Sequence, residues 1–310
     1  MNPQTHIVLL GAGAIGVLPA AKLLEMPEVR LTAAADAPRV ARYRNEGIFL
    51  NGRRLDFAYA SPQEMRGMLP ADLVIAATKN PDLGEALENV APLVAETTVF
   101  LPLLNGITAD LVIAARFPRC TVLKGFFLGH ASVREGNHIR HDGAGTICIG
   151  GEGAAVRETE SLFRRAGIEV SVPSDMTSAM WKKFVLNVGV NQAQAVYRAG
   201  YGEMQKSPEM LDFARRLMAE AVAAAAAEGV SGTETMVAEA MKFILSVPPD
   251  AKTSMLQDVL AGRRTEVEAF AGTVCALASK HGIEVPCNRK VLEQLRQHGR
   301  GRLLFFKSAL

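Results

Sequence analysis

Along the first 120 positions apolar residues come in short continuous runs, and amphipathic stretches separate them. Strands buried on both faces of a parallel sheet read as such runs, while helices that cover the sheet repeat every three to four residues. The pattern predicts strands at 6–10, 30–35, 72–77 and 97–101 and helices at 14–26, near 38–46, at 81–95 and at 108–116. That alternation is the mark of a doubly covered α/β sheet. From 121 to 150 the texture changes to short apolar runs broken by Gly136-Asn137 and Gly150-Gly151, as for antiparallel strands added at the sheet edge. A helix near 155–166 and a strand from Ile168 to Val172 complete this part.

After Val172 the strand signals stop and long helical patterns run to the end. The expected organisation is therefore a Rossmann-type α/β domain over 1–172 and an all-helical domain over 173–310. Ser207 before Pro208 is a good helix start, an N-cap followed by proline at the first helical position. The alanine-rich stretch Ala219 to Ala227 needs only helix propensity to explain it.

With 310 residues, 49% of them apolar, the chain can bury a substantial core. Its 34 basic and 32 acidic residues leave a formal charge of +2, which gives no general attraction to nucleic acid or to membrane surfaces. The basic positions Arg289, Lys290, Arg296, Arg300, Arg302 and Lys307 near the C-terminus read as a solvated helix face. Four cysteines, Cys120, Cys148, Cys275 and Cys287, stand far apart with no paired spacing, as in a cytosolic protein with reduced thiols. The apolar stretch from Ile7 to Ala21 lacks the basic leader of a signal segment, and no run is long enough to span a bilayer. A soluble, cytoplasmic protein is expected.

Chemistry enters at Gly11-Ala12-Gly13-Ala14-Ile15-Gly16, where the first strand hands over to a helix. In a dinucleotide-binding turn Gly11 permits the bend, Gly13 lets the backbone approach a pyrophosphate, and Gly16 allows close helix packing. The helix start then offers free N–H groups to the phosphates. Asp36 falls where the second strand should end, the place of a carboxylate that reads the ribose. Thr78-Lys79-Asn80 and Asn105-Gly106 follow the third and fourth strands, at the sheet end where such folds bind ligands.

In the second half, Lys183, Asn187 and Asn191 are spaced i, i+4, i+8 and share one face of an apolar helix. A lysine and two amides on one line suit a small polar substrate. An ordinary buried helix, its asparagines bonded to backbone and its lysine reaching water, is the competing reading. Ser254 and Glu266 would lie roughly 120° apart on one unbroken helix, so a shared site requires a break, which Gly262 offers. Thr265 with Glu268 three residues on reads as a capping box, with Glu266 in the first turn of the new helix. His138 and His141 have metal-compatible spacing without an accompanying carboxylate or thiol cluster, so no metal is expected.

Taken in order, the glycine fingerprint, Thr78-Lys79, Leu104-Asn105-Gly106, Trp181-x-Lys183-x3-Asn187-x3-Asn191 and Ser254-Met-Leu-Gln-Asp258 with Thr265-Glu266 resemble the ketopantoate reductase (2-dehydropantoate 2-reductase) family over nearly the whole chain. The resemblance implies a Rossmann domain, a helical domain, an active site in the cleft between them, and NAD(P)H-dependent reduction of ketopantoate to pantoate, as in pantothenate biosynthesis. It implies Lys183 and Glu266 as catalytic, Asn187, Asn191 and Ser254 as substrate-binding, and Lys79 and Asn105 as cofactor-side residues. NADPH is the cofactor the resemblance implies. Asp36 departs from it, because members that prefer NADPH commonly carry arginine there, and a carboxylate suits the 2′-hydroxyl of NADH. Arg39 and Arg42 are near in sequence and could partly rescue binding of a 2′-phosphate. Two other readings stay open: an NADH-dependent reductase of other 2-oxo acids giving D-2-hydroxy acids, and a non-catalytic NAD(P)-sensing module. The expected partner is a small 2-oxo acid, with the chain a monomer or homodimer.

Overall fold

The computed structural model describes residues 4–129, 132–142 and 145–298. Arg300, Arg302 and Lys307 of the basic stretch lie outside them. The chain divides into two compact units, the first through Met176 and the second from Thr177 onward.

In chain order the first unit contains β1 (Thr5–Leu10), α1 (Val17–Leu23), β2 (Val29–Ala34), α2 (Ala37–Glu46), β3 (Ile48–Leu50), β4 (Arg53–Leu55), β5 (Ala58–Ala60), α3 (Pro62–Met65), β6 (Leu73–Ala76), α4 (Leu83–Val90), β7 (Val99–Pro102) and α5 (Ala109–Arg116). It continues with β8 (Thr121–Val122), β9 (Lys124–Leu128), β10 (Ser132–Glu135), β11 (His138–His141), β12 (Thr146–Gly150), α6 (Ala154–Arg165) and β13 (Val170–Ser171). Six strands form one parallel sheet in the order β5-β2-β1-β6-β7-β8. Its strands are apolar on both faces, and successive residues serve opposite cores. Ile7, Leu9, Ile75 and Leu101 pack with α1 and α6, through Val17, Val156 and Phe163. Val8, Leu10, Val74 and Phe100 pack with α4 and α5, through Leu87 and Ile113.

The structure departs from the sequence expectation at several places. Helix α1 starts at Val17 rather than residue 14, because residues 14–16 are spent in the glycine turn. The helix expected at 81–95 is α4 flanked by 3₁₀ turns at Asn80–Asp82 and Ala91–Leu93, each of which contains a proline. Strands β3 and β4 were not expected, although Asn51 (φ 49°) and Gly52 (φ 81°) make the left-handed turn of an Asn-Gly hairpin. The strands between 121 and 150 do not extend the main sheet as antiparallel neighbours. β8 joins it in parallel, β9 and β12 pair antiparallel in a separate sheet with β13, and the β10–β11 hairpin joins β3 and β4. The final strand is the short β13 rather than Ile168 to Val172.

At the second unit's border begins α7 (Met176–Tyr197), followed by α8 (Tyr201–Lys206), α9 (Pro208–Ala227), α10 (Thr233–Ser246), α11 (Ser254–Leu260), α12 (Ala271–His281) and α13 (Pro286–His298). Ser207 caps α9, its hydroxyl accepting the Met210 N–H at 3.2 Å. The long helix α7 lies close to α9 at Gly189, where an added Cβ would meet Met218 and the Ala214 carbonyl. Polar side chains, of which Gln192 and Asn288 are fully buried, fix how these helices dock. Gln192 on α7 donates to Asn288 on α13 (3.0 Å) and accepts from the Ala271 N–H (3.1 Å), and Glu220 on α9 accepts the Cys287 and Asn288 N–H groups at the start of α13. Bonded polar groups inside a helical core set the register between helices.

Candidate active site

In the first unit the sequence-picked residues gather at one end of the parallel sheet. The glycine turn follows β1, Asp36 follows β2, Lys79 follows β6 and Asn105 follows β7, and these four strands are adjacent in the sheet. The chain leaves β1 toward β2 on one side and β6 on the other, so the turn lies at the point where strand order reverses, the place where such sheets bind ligands. Asn80 donates through its amide to the Asn105 carbonyl at 2.9 Å, which ties the loops after β6 and β7 together.

The glycines are there for contact, not for freedom alone. Gly11 has φ +89°, and a Cβ on it would sit 2.6 Å from the Ala77 oxygen and from the Thr78 nitrogen. One on Gly16 would collide with the Gly11 carbonyl. Gly13 is not closed in this way: among the described residues a Cβ on it would meet a nitrogen of Arg134 in ordinary contact at 3.6 Å. A turn closed behind Gly11 and Gly16 and less crowded at Gly13 fits a dinucleotide's phosphates. Thr78, whose backbone touches Gly11, has a buried hydroxyl with no partner among the described residues, a donor available to a bound ligand. These residues therefore fit the dinucleotide that the glycine turn implies.

Asp36 has a second engagement that the sequence did not reveal. It is the N-cap of α2, its Oδ1 accepting the Arg39 N–H at 2.7 Å while Oδ2 stands 3.4 Å from the Arg39 guanidinium. Arg42 lies over the Tyr43 ring.

In the second unit Lys183 and Asn187 are half-buried on α7 and Asn191 is buried one turn further on. Ser254 is the first residue of α11, after the N-cap Thr253, whose hydroxyl accepts the Leu256 N–H. Gln194 on α7 accepts the Thr253 N–H at 3.0 Å and so anchors the start of α11 to the helix that bears Lys183, Asn187 and Asn191. Spacing alone could not show that role. Gly262 (φ +64°) supplies the break after α11. Glu266 is then the N-cap of a short 3₁₀ turn, Val267–Ala269, and the following segment packs along α7, with Phe270 against Phe184 (6.4 Å between ring centres) and Ala271 bonded to Gln192.

The capping box expected from Thr265 and Glu268 does not form. Glu268 makes a two-pronged pair with Arg296 on α13 (2.5 and 2.8 Å), and Glu266 accordingly begins a 3₁₀ turn rather than a full helix. Arg296 holds the Glu268 carboxyl below its ordinary range. His138 stacks on Phe49, with ring centres 4.5 Å apart, and among the described residues no three His, Cys, Asp or Glu side chains form a metal-sized group.

Comparison with known proteins extends this picture. Residues 7–152 match the family model described as ketopantoate reductase PanE/ApbA, and residues 175–299 match the model of its C-terminal domain. A 2-dehydropantoate 2-reductase of Halobacterium salinarum is 28% identical over 298 residues, covering 94% of this chain and 98% of that protein. The crystal structure of a PanE/ApbA family ketopantoate reductase from Ralstonia eutropha superposes with a TM-score of 0.84 at 25% identity, over 96% of this chain and 99% of that one. A ternary structure of D-mandelate dehydrogenase with NADH and anilino(oxo)acetate has the same fold, with a TM-score of 0.85 at 20% identity over 96% and 99% of the two chains. Among the described residues no helix is long and apolar enough to cross a membrane.

Proposed function

This chain belongs to the ketopantoate reductase family of NAD(P)-dependent oxidoreductases, and from that premise we propose that it reduces ketopantoate to pantoate. The observation that carries the reading is the Gln194 to Thr253 hydrogen bond, because it joins Ser254 to the helix on which Lys183, Asn187 and Asn191 share a face. A sensor without turnover has no need of that assembly.

The reduced nicotinamide, when bound, supplies a hydride to the 2-oxo carbon. Gly11, Ala12, Gly13, Ala14, Ile15 and Gly16 hold the dinucleotide's phosphates, Asp36 faces its ribose, and Lys79 and Asn105 act on the same side. As the carbonyl becomes an alkoxide, charge develops on its oxygen. The Lys183 ammonium gives a proton to that oxygen and its positive field stabilises the charge as it forms. Asn187, Asn191 and Ser254 hold the substrate carboxylate and hydroxyl in register, so that the reacting atoms meet in one orientation. Glu266 accepts a hydrogen bond from the substrate or from Lys183 and fixes its direction. The lysine regains its proton from solvent after product leaves.

A second reading follows from Asp36: an NADH-linked reductase of another 2-oxo acid, giving a D-2-hydroxy acid. One assay separates the readings, oxidation of NADH and of NADPH against a panel of 2-oxo acids that includes ketopantoate. The expected result is the highest kcat/KM with ketopantoate. Faster turnover of a different oxo acid overturns the substrate in favour of the second reading, and tight dinucleotide binding without turnover of any acid overturns both in favour of a sensing module.

A further inference from the structure

Strands β10 and β11 form a hairpin outside the parallel sheet, and their side chains alternate between two faces. Arg134 on β10 stands directly opposite Ile139 on β11. Ile139 is 1% exposed and belongs to the core cluster that includes Ile7, Leu9 and Ala12. Directly opposed residues of an antiparallel pair share a face, so Arg134 lies on the inward face, where it is half-buried. Its neighbours Val133, Glu135, His138 and Arg140 are exposed. The guanidinium keeps contact with solvent there and so can meet a charged ligand that approaches from outside.

The charge ends at the glycine turn. Apart from the chain neighbours of Gly13, one terminal nitrogen of Arg134, Nη1, is the only atom of the described residues within 4 Å of the position a Cβ on Gly13 would occupy, at 3.6 Å. Arg134 Nε donates to the Gly136 carbonyl at 2.8 Å, which holds the guanidinium plane and leaves the outer N–H groups for another partner. No acidic side chain among the described residues lies in ion-pair range of it. The hairpin that presents it is fastened to its surroundings. Phe49 donates to the Asn137 carbonyl (2.9 Å), Asn137 donates to Glu46 (2.6 Å), and Asn51 and His141 exchange two bonds of 3.0 and 2.9 Å.

We propose that Arg134 is a cofactor-binding residue that grips the dinucleotide's pyrophosphate from the side opposite the glycine turn. The inference rests on the reading that this turn holds a dinucleotide. Gly13 lets backbone N–H groups approach the pyrophosphate from below, and a planar guanidinium can bond two phosphate oxygens at once from above. The diphosphate in turn supplies the negative charge that the inward arginine lacks. Because NADH and NADPH share the same pyrophosphate, Arg134 serves both equally, whereas Asp36 acts only where they differ.

Equilibrium titration of the full chain with NADH, NADPH, ADP-ribose and adenosine tests this. Arg134→Ala is expected to weaken NADH, NADPH and ADP-ribose alike by about 10- to 100-fold, to leave adenosine unchanged, and to reduce the salt dependence of ADP-ribose binding. Arg134→Lys, which keeps the charge without the fork, is expected to recover part of the loss. Unchanged ADP-ribose affinity in Arg134→Ala overturns the inference. So does an equal loss of adenosine and ADP-ribose together with a lowered melting temperature, since that marks a support role for the hairpin. Weakened dinucleotide binding in Arg134→Ala, together with no reduction of any 2-oxo acid by the unmodified chain, upholds this inference and overturns the reaction proposed above.

Discussion

Gln194 accepts the backbone N–H of Thr253 at 3.0 Å across 59 residues of sequence, and through that one bond the start of α11 is registered on α7. Gln194 is fully buried. In Gln194→Ala the Thr253 N–H loses its acceptor in the interior, at an expected cost of about 1–3 kcal/mol in urea unfolding. With Ser254 no longer held, KM for the oxo acid should rise roughly tenfold while kcat falls less. Equal loss in both constants would assign Gln194 a purely structural part.

Lys183→Ala should lower kcat by two or more powers of ten, because general acid catalysis alone contributes about 10² to 10⁴. Dinucleotide affinity should stay as it was. Steady-state kinetics together with a binding titration measure both, and near-normal turnover would return Lys183 to the role of a helix residue reaching water.

Two neighbouring glutamates should behave in opposite ways. Glu266→Gln is expected to lose activity at an unchanged melting temperature. Glu268→Gln is expected to keep activity and lose about 0.2–1 kcal/mol, the worth of an exposed ion pair. The Arg296 guanidinium lowers the Glu268 carboxyl from its ordinary value of 4.5. A carboxyl lowered on folding adds stability that is present above pH 4.5 and fades as pH falls through the lowered value. Melting curves between pH 3 and 7 should therefore converge for Glu268→Gln and the unmodified chain at the acid end and separate toward neutrality.

Cofactor preference should respond to Asp36 in a way that its cap role makes testable. Asp36→Ala would remove the cap of α2 and the charge together. Asp36→Asn keeps a good N-cap and removes only the charge. NADH is expected to be the better cofactor of the unmodified chain by kcat/KM, and Asp36→Asn should narrow that preference by severalfold. The proximity of Arg39 to Asp36 tempers the repulsion of a 2′-phosphate, so the shift should be smaller than an isolated carboxylate would give. A tenfold preference for NADPH in the unmodified chain would remove Asp36 as the discriminating group.

The parallel sheet was legible because β1, β2, β6 and β7 are buried on both faces and so read as apolar runs, with their ligand-binding loops placed by the same pattern. What periodicity could not show was any relationship carried by a single distant contact. Three-residue strands such as β3 and β4 are too short to establish a period, although the Asn51-Gly52 turn between them carried a readable signal. Glu268 was matched with Thr265 because a local rule exists for that spacing, while the partner it adopts, Arg296, lies 28 residues away. Arg134 had no motif at all. Its place beside Gly13 comes from the face of the hairpin it occupies, opposite Ile139 on β11, and β11 is in turn paired with β3 far upstream.

That pairing has a consequence in time. β11 lies beside β3 with His138 level with Phe49, so nearly ninety residues must be looped out before the hairpin can dock. Contacts between such distant segments form slowly, because chain entropy is lost before they repay it. The helical unit has its own distant contacts, Gln192 reaching Asn288 across 96 residues, and it holds the chain's single tryptophan, Trp181, packed edge-on against Phe184. On refolding, tryptophan emission would report the docking of the helices and dinucleotide retention the docking of the hairpin, so the two signals time the two units separately.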